Sequence, residues 1–509
     1  GLPPPPPPGT TVHLASSEPA AVLCARVLCD APAGTPLPPG DFRVATTRAT
    51  NALLERRGAR VAVLVTRGFG DLPVIGDQRR PELFARLVRR PAPLHERVVE
   101  IDERVAPDGT VERPLDEARV AAIARALRAE GIEAAAVCLL HAIRHPDHER
   151  RVAAILREAG IEHVSTSADG AARGPLVPRL TTTIVDAFTG PVLARHLEAI
   201  AAAAVGGSAA GTEQRGPRLG VLASDGGVRP AAGFRSAEGL LSGPAGGVLA
   251  AAAAARRNGI ERAIGLDMGG TSTDVCRIEG DPVLRGQHRV GDASVLAPAM
   301  AIETVAAGGG SICHVAGGRL RVGPQSAGAE PGPACHGGGG PLTLTDCTLL
   351  LGRLVAERFP FPPDVAAAER AAAAVLEAVR EQDPAATGDA VLAGACELAA
   401  ESMADAIRAV TVREGWDPAD HALVAFGGAG GQHACAIAER LGIGTIVFPA
   451  DASILSAVGV DAAGPRAVVR REVLAAVEDG AGTGTPLLAT ALAAAEAEAR
   501  RRLIAEGVD

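Results

Sequence analysis

The sequence predicts an α/β protein with largely parallel sheet, and three observations carry that expectation. Over the first 150 residues, short apolar runs alternate with stretches of helical periodicity, the signature of strand–helix–strand units. Further on, glycine-rich turns follow short apolar strands directly, as at Ile264–Asp267 and Val424–Phe426. Finally, hydrophobic residues make up 47% of the 509 residues, enough for more than one packed core. Aromatics are only 2%, so those cores must be built from Ala, Val, Leu and Ile.

The elements follow in chain order. Pro3–Pro8 reads as a short polyproline II tail within a 1–9 leader. Residues 10–165 form a first region. In it, Val61–Val65 reads as a buried strand and Glu117–Ala129 as a helix stopped by Gly131. Ala134–Leu140 is the next strand, and a helix is expected around Glu149–Ala159. Ser165–Pro178, rich in Gly, Ser and Pro, reads as a loop into a second region at 180–471, where Gly206–Gly216 reads as a surface loop. Ile264–Asp267 is a strand, Met268–Asp274 a tight turn, and Val275–Ile278 the returning strand. Glycine-rich stretches follow at Ala307–Ser311 and Gly328–Gly340, then a helix at Ala395–Val412. Val424–Phe426 runs into Gly427–Gly431 and a helix at His433–Leu441. Residues 472–509 start a C-terminal region whose last helix is Leu487–Glu506.

Composition removes whole classes of function. No lysine and no tyrosine occur, which excludes a Walker A lysine, a lysine Schiff base and tyrosine catalysis. One Trp and nine Phe make base-stacking platforms for nucleic acid improbable, and the net charge of −9 comes without any basic stripe. No nucleic-acid partner is expected. Nine cysteines without a C-x-x-C pair read as reduced thiols. The longest uncharged stretch near a helix, Gly239–Ala255, contains Pro244 and is mostly alanine and glycine, a poor membrane span. With no signal-peptide pattern at the start, the reading is a cytoplasmic protein with no membrane partner.

The sharpest chemical signal is Asp267-Met-Gly-Gly-Thr-Ser-Thr-Asp274. Glycines let backbone N–H groups close on phosphate oxygens, and Thr271, Ser272 and Thr273 add hydroxyl donors. Asp267 can hold hydrated Mg²⁺ or orient a water. Because lysine is absent, a phosphate cradle would have to be of this backbone type. Phe426-Gly-Gly-Ala-Gly-Gly-Gln-His433 is a strand entering a glycine turn and a helix, suited to a nucleotide but equally to close strand–helix packing. Thr304–Ser311 is similar. His141, His145 and His148 suggest a metal cluster, but Pro146 breaks any helix that would align them. No Gly-x-Ser-x-Gly elbow supports a serine hydrolase.

These residues together resemble the hydantoinase/oxoprolinase family, in its ATP-handling A part, from about Phe42 to Gly507. The similarity includes Ala49–Arg56, Thr66–Phe69, Ser224–Gly227, Leu241–Gly247, Asp267–Val275, Thr304–Ser311, Val322–Gly328, Pro331–Cys335 and Gly427–Ala436. Gly430–Cys435 and Thr304–Ala307 look most like the 5-oxoprolinase branch. The resemblance implies a two-lobed actin/Hsp70/sugar-kinase-like ATPase fold with ATP and Mg²⁺ in the cleft. The family opens cyclic amides such as 5-oxoproline or hydantoins with ATP, and a separate or fused B part usually completes the active site. It further implies Asp267 and Asp274 as catalytic carboxylates, Asp267 also as the metal ligand. Gly269, Gly270, Thr271, Ser272 and Thr273 would cradle phosphates, and Gly427, Gly428, Gly430 and Gly431 would line the nucleotide.

Family members also open with a first phosphate loop, Asp-x-Gly-Gly-Thr-Phe-Thr-Asp. The stretch that could align here is His13–Ala20, where Glu18 would repel ATP and Pro19 lacks an N–H. The fold is therefore expected to be degenerate at the N-terminus, and incomplete at the C-terminus. The alternative reading is a catalytically impaired ATP-fold partner that supports a B-type subunit.

Overall fold

A computed structural model describes residues 16, 18–78, 84, 86–87, 91–170, 174–206, 217–359, 361–469 and 486–505. A four-stranded sheet occupies the first region, in the order Arg97–Ile101, Val61–Thr66, Ala134–Cys138, His163–Thr166, with every pairing parallel. Its central strands are buried at every position because both faces are covered, and all their residues but Thr66 are apolar. Ala62, Leu64, Ala135 and Val137 point to one side, against Val120, Ala124 and Leu127 of the helix Glu117–Ala129 and Val152 and Leu156 of Asp147–Glu158. Val61, Val63, Ala134 and Ala136 point to the other, against Leu180, Ile184, Ala187 and Phe188. Asp116 accepts a hydrogen bond from Arg119 N at 3.0 Å and so caps the first of these helices.

Those last four residues belong to a 30-residue helix, Leu176–Val205, whose first turn lies inside the stretch expected to be a loop. Sequence periodicity does not reveal it, because Thr181–Thr183 are β-branched, Pro191 interrupts it and apolar residues surround it. The threonine hydroxyls bond back to carbonyls four residues earlier, at 2.7 to 3.1 Å. Burial on two sides then holds the helix. Its middle and end pack Val185, Leu193 and Leu197 against Val44, Leu53 and Val221, and Ile200 and Ala204 against Val22 and Leu37.

Asp41–Val44 and Arg218–Leu222 pair in parallel there, and Val228–Pro230 extends them into a three-stranded sheet. Ala20–Cys29 is a helix, and Glu18 pairs with Arg26 at 2.7 Å just before it. Arg26 is nearly fully buried and reaches Ala203 O at 2.9 Å. Glu18 thus neutralises a buried local arginine just ahead of the helix. His13–Ala15 and Ser17 lie outside the described residues.

The largest sheet has six strands. Asp281–Pro282, Thr273–Glu279, Arg262–Met268, Ala422–Phe426 and Ile446–Val447 lie in that order, and Ile302–Val305 pairs the turn end of Thr273–Glu279. The first pairings are antiparallel; Arg262–Met268 to Ala422–Phe426 and onward is parallel. One face is covered by Gly388–Val410 and Gly430–Leu441, the other by Ser242–Arg257 and Leu455–Ala462. The two helices of that second face cross closely: a Cβ on Gly459 would fall 1.8 Å from Gly246 O.

Candidate functional site

The site is built where three chain turns meet at one end of the largest sheet. Asp267 and Asp274 are opposed residues of the hairpin Arg262–Met268/Thr273–Glu279. Gly269, Gly270, Thr271 and Ser272 make the connecting turn, closed by Gly269 N donating to Ser272 O at 3.0 Å. The loop 308–310 backs it: Gly309 N donates to Gly269 O at 3.0 Å and Gly310 N to Gly270 O at 2.6 Å. A Cβ on Gly308 would sit 2.6 Å from the Thr271 backbone, so a side chain there would push the turn away. Thr273 is buried, and its hydroxyl donates to Ala307 O at 2.5 Å. It therefore fixes the turn, while Gly270 and Thr271 are exposed.

The second glycine turn touches the first. Gly427 has φ +80°, and a Cβ there would meet Asp267 Oδ1 at 2.5 Å and Met268 O at 2.4 Å. Only glycine permits that approach. Ala429 N donates to Met268 O at 3.0 Å, and Gly427 N to Ala452 O at 2.9 Å. The helix begins at Gly430, three residues earlier than the sequence suggests, so Gly430 and Gly431 are its first two residues. Among the described residues, the N–H groups of Gly270, Thr271, Ser272, Gly428, Gly430 and Gly431 donate to no protein acceptor. Two sets of open donors thus converge at one place.

Between them stand the two carboxylates. Asp267 Oδ2 accepts from Ser456 Oγ at 3.0 Å, and Asp274 Oδ1 from Thr304 Oγ1 at 2.5 Å. Neither has a cationic partner among the described residues, and burial raises both pKa values from their ordinary value. For Asp274 the value is pushed up to about 6, chiefly by burial, with the Asp267 charge adding and the Thr304 hydrogen bond opposing. Paired, half-buried carboxylates held only by hydroxyls are a donor set that fits Mg²⁺, which takes one or two carboxylates and completes its shell with water and phosphate oxygens. His433, in the first turn of the helix, is buried and its pKa is pushed down to about 4, so it stays neutral.

Ser456 carries no signal in the sequence, since it sits in the apolar stretch Leu455–Ala462 and reaches Asp267 only because that helix packs across the sheet. Thr304 belongs to the Thr304–Ser311 motif, but nothing in the sequence ties it to Asp274, 30 positions earlier. The histidines form no metal cluster among the described residues: His148 Nδ1 lies 2.7 Å from Glu103 Oε2 and His145 Nε2 3.3 Å from Pro107 O. Cys313 Sγ lies 3.8 Å from Cys347 Sγ, and all nine cysteines are free thiols. Among the described residues, no helix is long and apolar enough to cross a membrane.

Comparison with known proteins identifies a family. The hydantoinase/oxoprolinase family model matches residues 179–469, and the model of that family's N-terminal region matches 39–160. The chain belongs to the hydantoinase/oxoprolinase family. Among hydantoinase/oxoprolinase members, the 5-oxoprolinase of Saccharomyces cerevisiae is 39% identical over 459 residues, covering 82% of this chain and 35% of that protein. Caprolactamase subunit alpha of Pseudomonas jessenii is 34% identical, covering 81% of this chain and 60% of that one. The chain spans about a third of the length of the 5-oxoprolinases it matches. Of solved structures, the ATP-dependent caprolactamase from Pseudomonas jessenii superposes with a TM-score of 0.72 at 30% identity, covering 91% of this chain and 67% of that chain. A nucleotide-free acetone carboxylase gives 0.70 at 26%, covering 83% and 61%. The fold is thus the α/β, actin-like ATPase type.

Proposed function

We propose that this chain is the ATP-handling part of an enzyme that opens cyclic amides such as 5-oxoproline or hydantoins. One observation carries the reading: open backbone donors of Gly270–Ser272 and of Gly428, Gly430 and Gly431 converge around two carboxylates that have no cationic partner among the described residues. A lactam carbonyl is a poor electrophile. Transfer of the terminal phosphoryl group of ATP to the lactam oxygen releases ADP and opens the carbon to water; one water breaks the ring C–N bond, a second releases phosphate from the carboxyl, and the ring-opened amino acid remains. Such transfer needs positioning and charge neutralisation more than covalent help. Gly269, Gly270, Thr271 and Ser272 would cradle the phosphates while buried Thr273 holds their turn, and Gly427, Gly428, Gly430 and Gly431 would line the nucleotide. Asp267 would hold Mg²⁺, held in place by Ser456, and Asp274 would stand opposite as the second carboxylate. Bound Mg²⁺ would neutralise phosphate charge during transfer.

The partner proposed is a B-type hydantoinase/oxoprolinase subunit or domain, a reading supported by the name of the caprolactamase relative, subunit alpha. The test is calorimetric titration with MgATP, and with ATP in excess EDTA, for the parent chain and Asp267→Asn. The expected result is a loss of at least tenfold in MgATP affinity in the variant, with metal-free ATP little changed. With a B-type partner present, ATP turnover should fall by two orders of magnitude or more. Equal MgATP affinity in a folded variant would remove Asp267 from the metal site.

A further inference from the structure

The largest sheet leaves one aromatic side chain in the open beside the glycine turn. Phe448 follows the edge strand Ile446–Val447 and is 52% exposed. Ile446 packs into the core beneath the helix Gly430–Leu441, and Val447 into the core on the other face. By strand alternation Phe448 returns to the helix side. There it meets the N-terminus of that helix: its Cε1 would lie 3.7 Å from a Cβ on Gly431. Ile454, in the turn that leads to Ser456, is exposed at 59%. The strands Ala422–Phe426 and Ile446–Val447 run parallel, so Gly427 and Phe448 both stand at carboxyl ends, where open α/β sheets bind ligands.

We propose that Phe448 is the base-binding residue of the nucleotide site, its ring stacking on the heterocycle of a nucleotide whose phosphates lie between the two glycine turns. This rests on the nucleotide reading of the same site. The physical grounds are local. In a chain with nine Phe and no Tyr, this half-exposed ring lies one van der Waals contact from Gly431, which has no side chain to fill the space beside it. Stacking needs only a flat apolar face with room above it, and the glycine leaves that room. It uses no hydrogen bond, so Phe448 would favour any nucleotide over the bare phosphate chain, with the larger purine face covering more of the ring.

The experiment compares MgATP with magnesium tripolyphosphate, which carries the phosphates without a base, by calorimetry on the full 509-residue chain and on Phe448→Ala and Phe448→Trp. Circular dichroism verifies that each is folded. Phe448→Ala is expected to weaken MgATP about tenfold and leave tripolyphosphate unchanged. Phe448→Trp, which restores an aromatic face, is expected to keep MgATP binding close to the parent. Equal loss for both ligands, or no loss for either, overturns the stacking role while leaving nucleotide binding standing. A parent chain that binds neither ligand at millimolar concentration overturns the nucleotide reading, and the assignment of Phe448 with it.

Discussion

At the scale of single residues, Asp274 is the group whose chemistry is most altered by the fold. Its pKa rises from the ordinary carboxylate value of 3.8 to about 6, so the folded state binds its proton more tightly than the unfolded chain. The sign follows from that order. Its stabilising contribution is full below pH about 4 and is lost as pH rises through about 6, amounting to at most about 3 kcal/mol. Asp274→Asn keeps the acceptor for Thr304 and removes the titration. The variant is expected to be more stable than the parent at pH 7 without Mg²⁺, and no more stable at pH 4. Urea midpoints at the two pH values check this; equal differences at both would mean that Asp274 is not the raised group. Both carboxylates were legible as candidates from their spacing around Gly269-Gly270. Their partners Ser456 and Thr304 were not, because they arrive from strands and helices 30 or more residues away.

At the scale of elements, the hairpin Arg262–Met268/Thr273–Glu279 is positioned by packing on both sides. Thr345 lies behind the turn, its N and hydroxyl both bonding Gly309 O, at 2.8 and 2.9 Å. On the other side the helix Leu455–Ala462 brings Ser456 to Asp267, and it can do so only where Gly459 meets Gly246 without side chains. Gly459→Ala places a methyl group into the Gly246 carbonyl. It should cost about 1–3 kcal/mol by overpacking and weaken MgATP binding by moving Ser456. Chemical denaturation and calorimetry measure the two effects together. A variant that lost stability with unchanged affinity would show that the helix crossing does not govern Asp267. The strands of this region were readable as apolar runs beside glycine turns. The helix Gly430–Leu441 starts earlier than its sequence pattern suggests, since Gly430 and Gly431 are poor helix formers that the turn geometry nonetheless recruits.

Across the whole molecule, the long helix Leu176–Val205 joins what the sequence presents as separate regions. Phe188 fills the space beside Gly58 and packs under the four-stranded sheet, while Leu193 and Leu197 pack beside Val44 and Val221. Phe188→Ala should cost about 3–5 kcal/mol. Because one helix serves both cores, the loss is expected to lower a single unfolding transition and not to split it. Differential scanning calorimetry with a shifted, still single peak meets the expectation; two separated peaks would show that the cores unfold independently.

The sequence by itself determined the class of fold, the strands with both faces buried and the two glycine turns. Each of these is encoded within a few consecutive residues: β-branched and alanine runs such as Val61–Thr66 need no distant partner to be recognised. It also carried the family resemblance, through motifs whose wording is local. Only the tertiary structure decided that Glu18 pairs with Arg26 ahead of a helix, that residues 176–205 are one helix, and that Ser456, Thr304 and Phe448 surround Asp267–Asp274 and Gly427–Gly431. The physical reason is the range of the interactions. A strand's burial pattern repeats every two residues, whereas a hydrogen bond across 189 positions or a ring against a glycine leaves no period in the sequence.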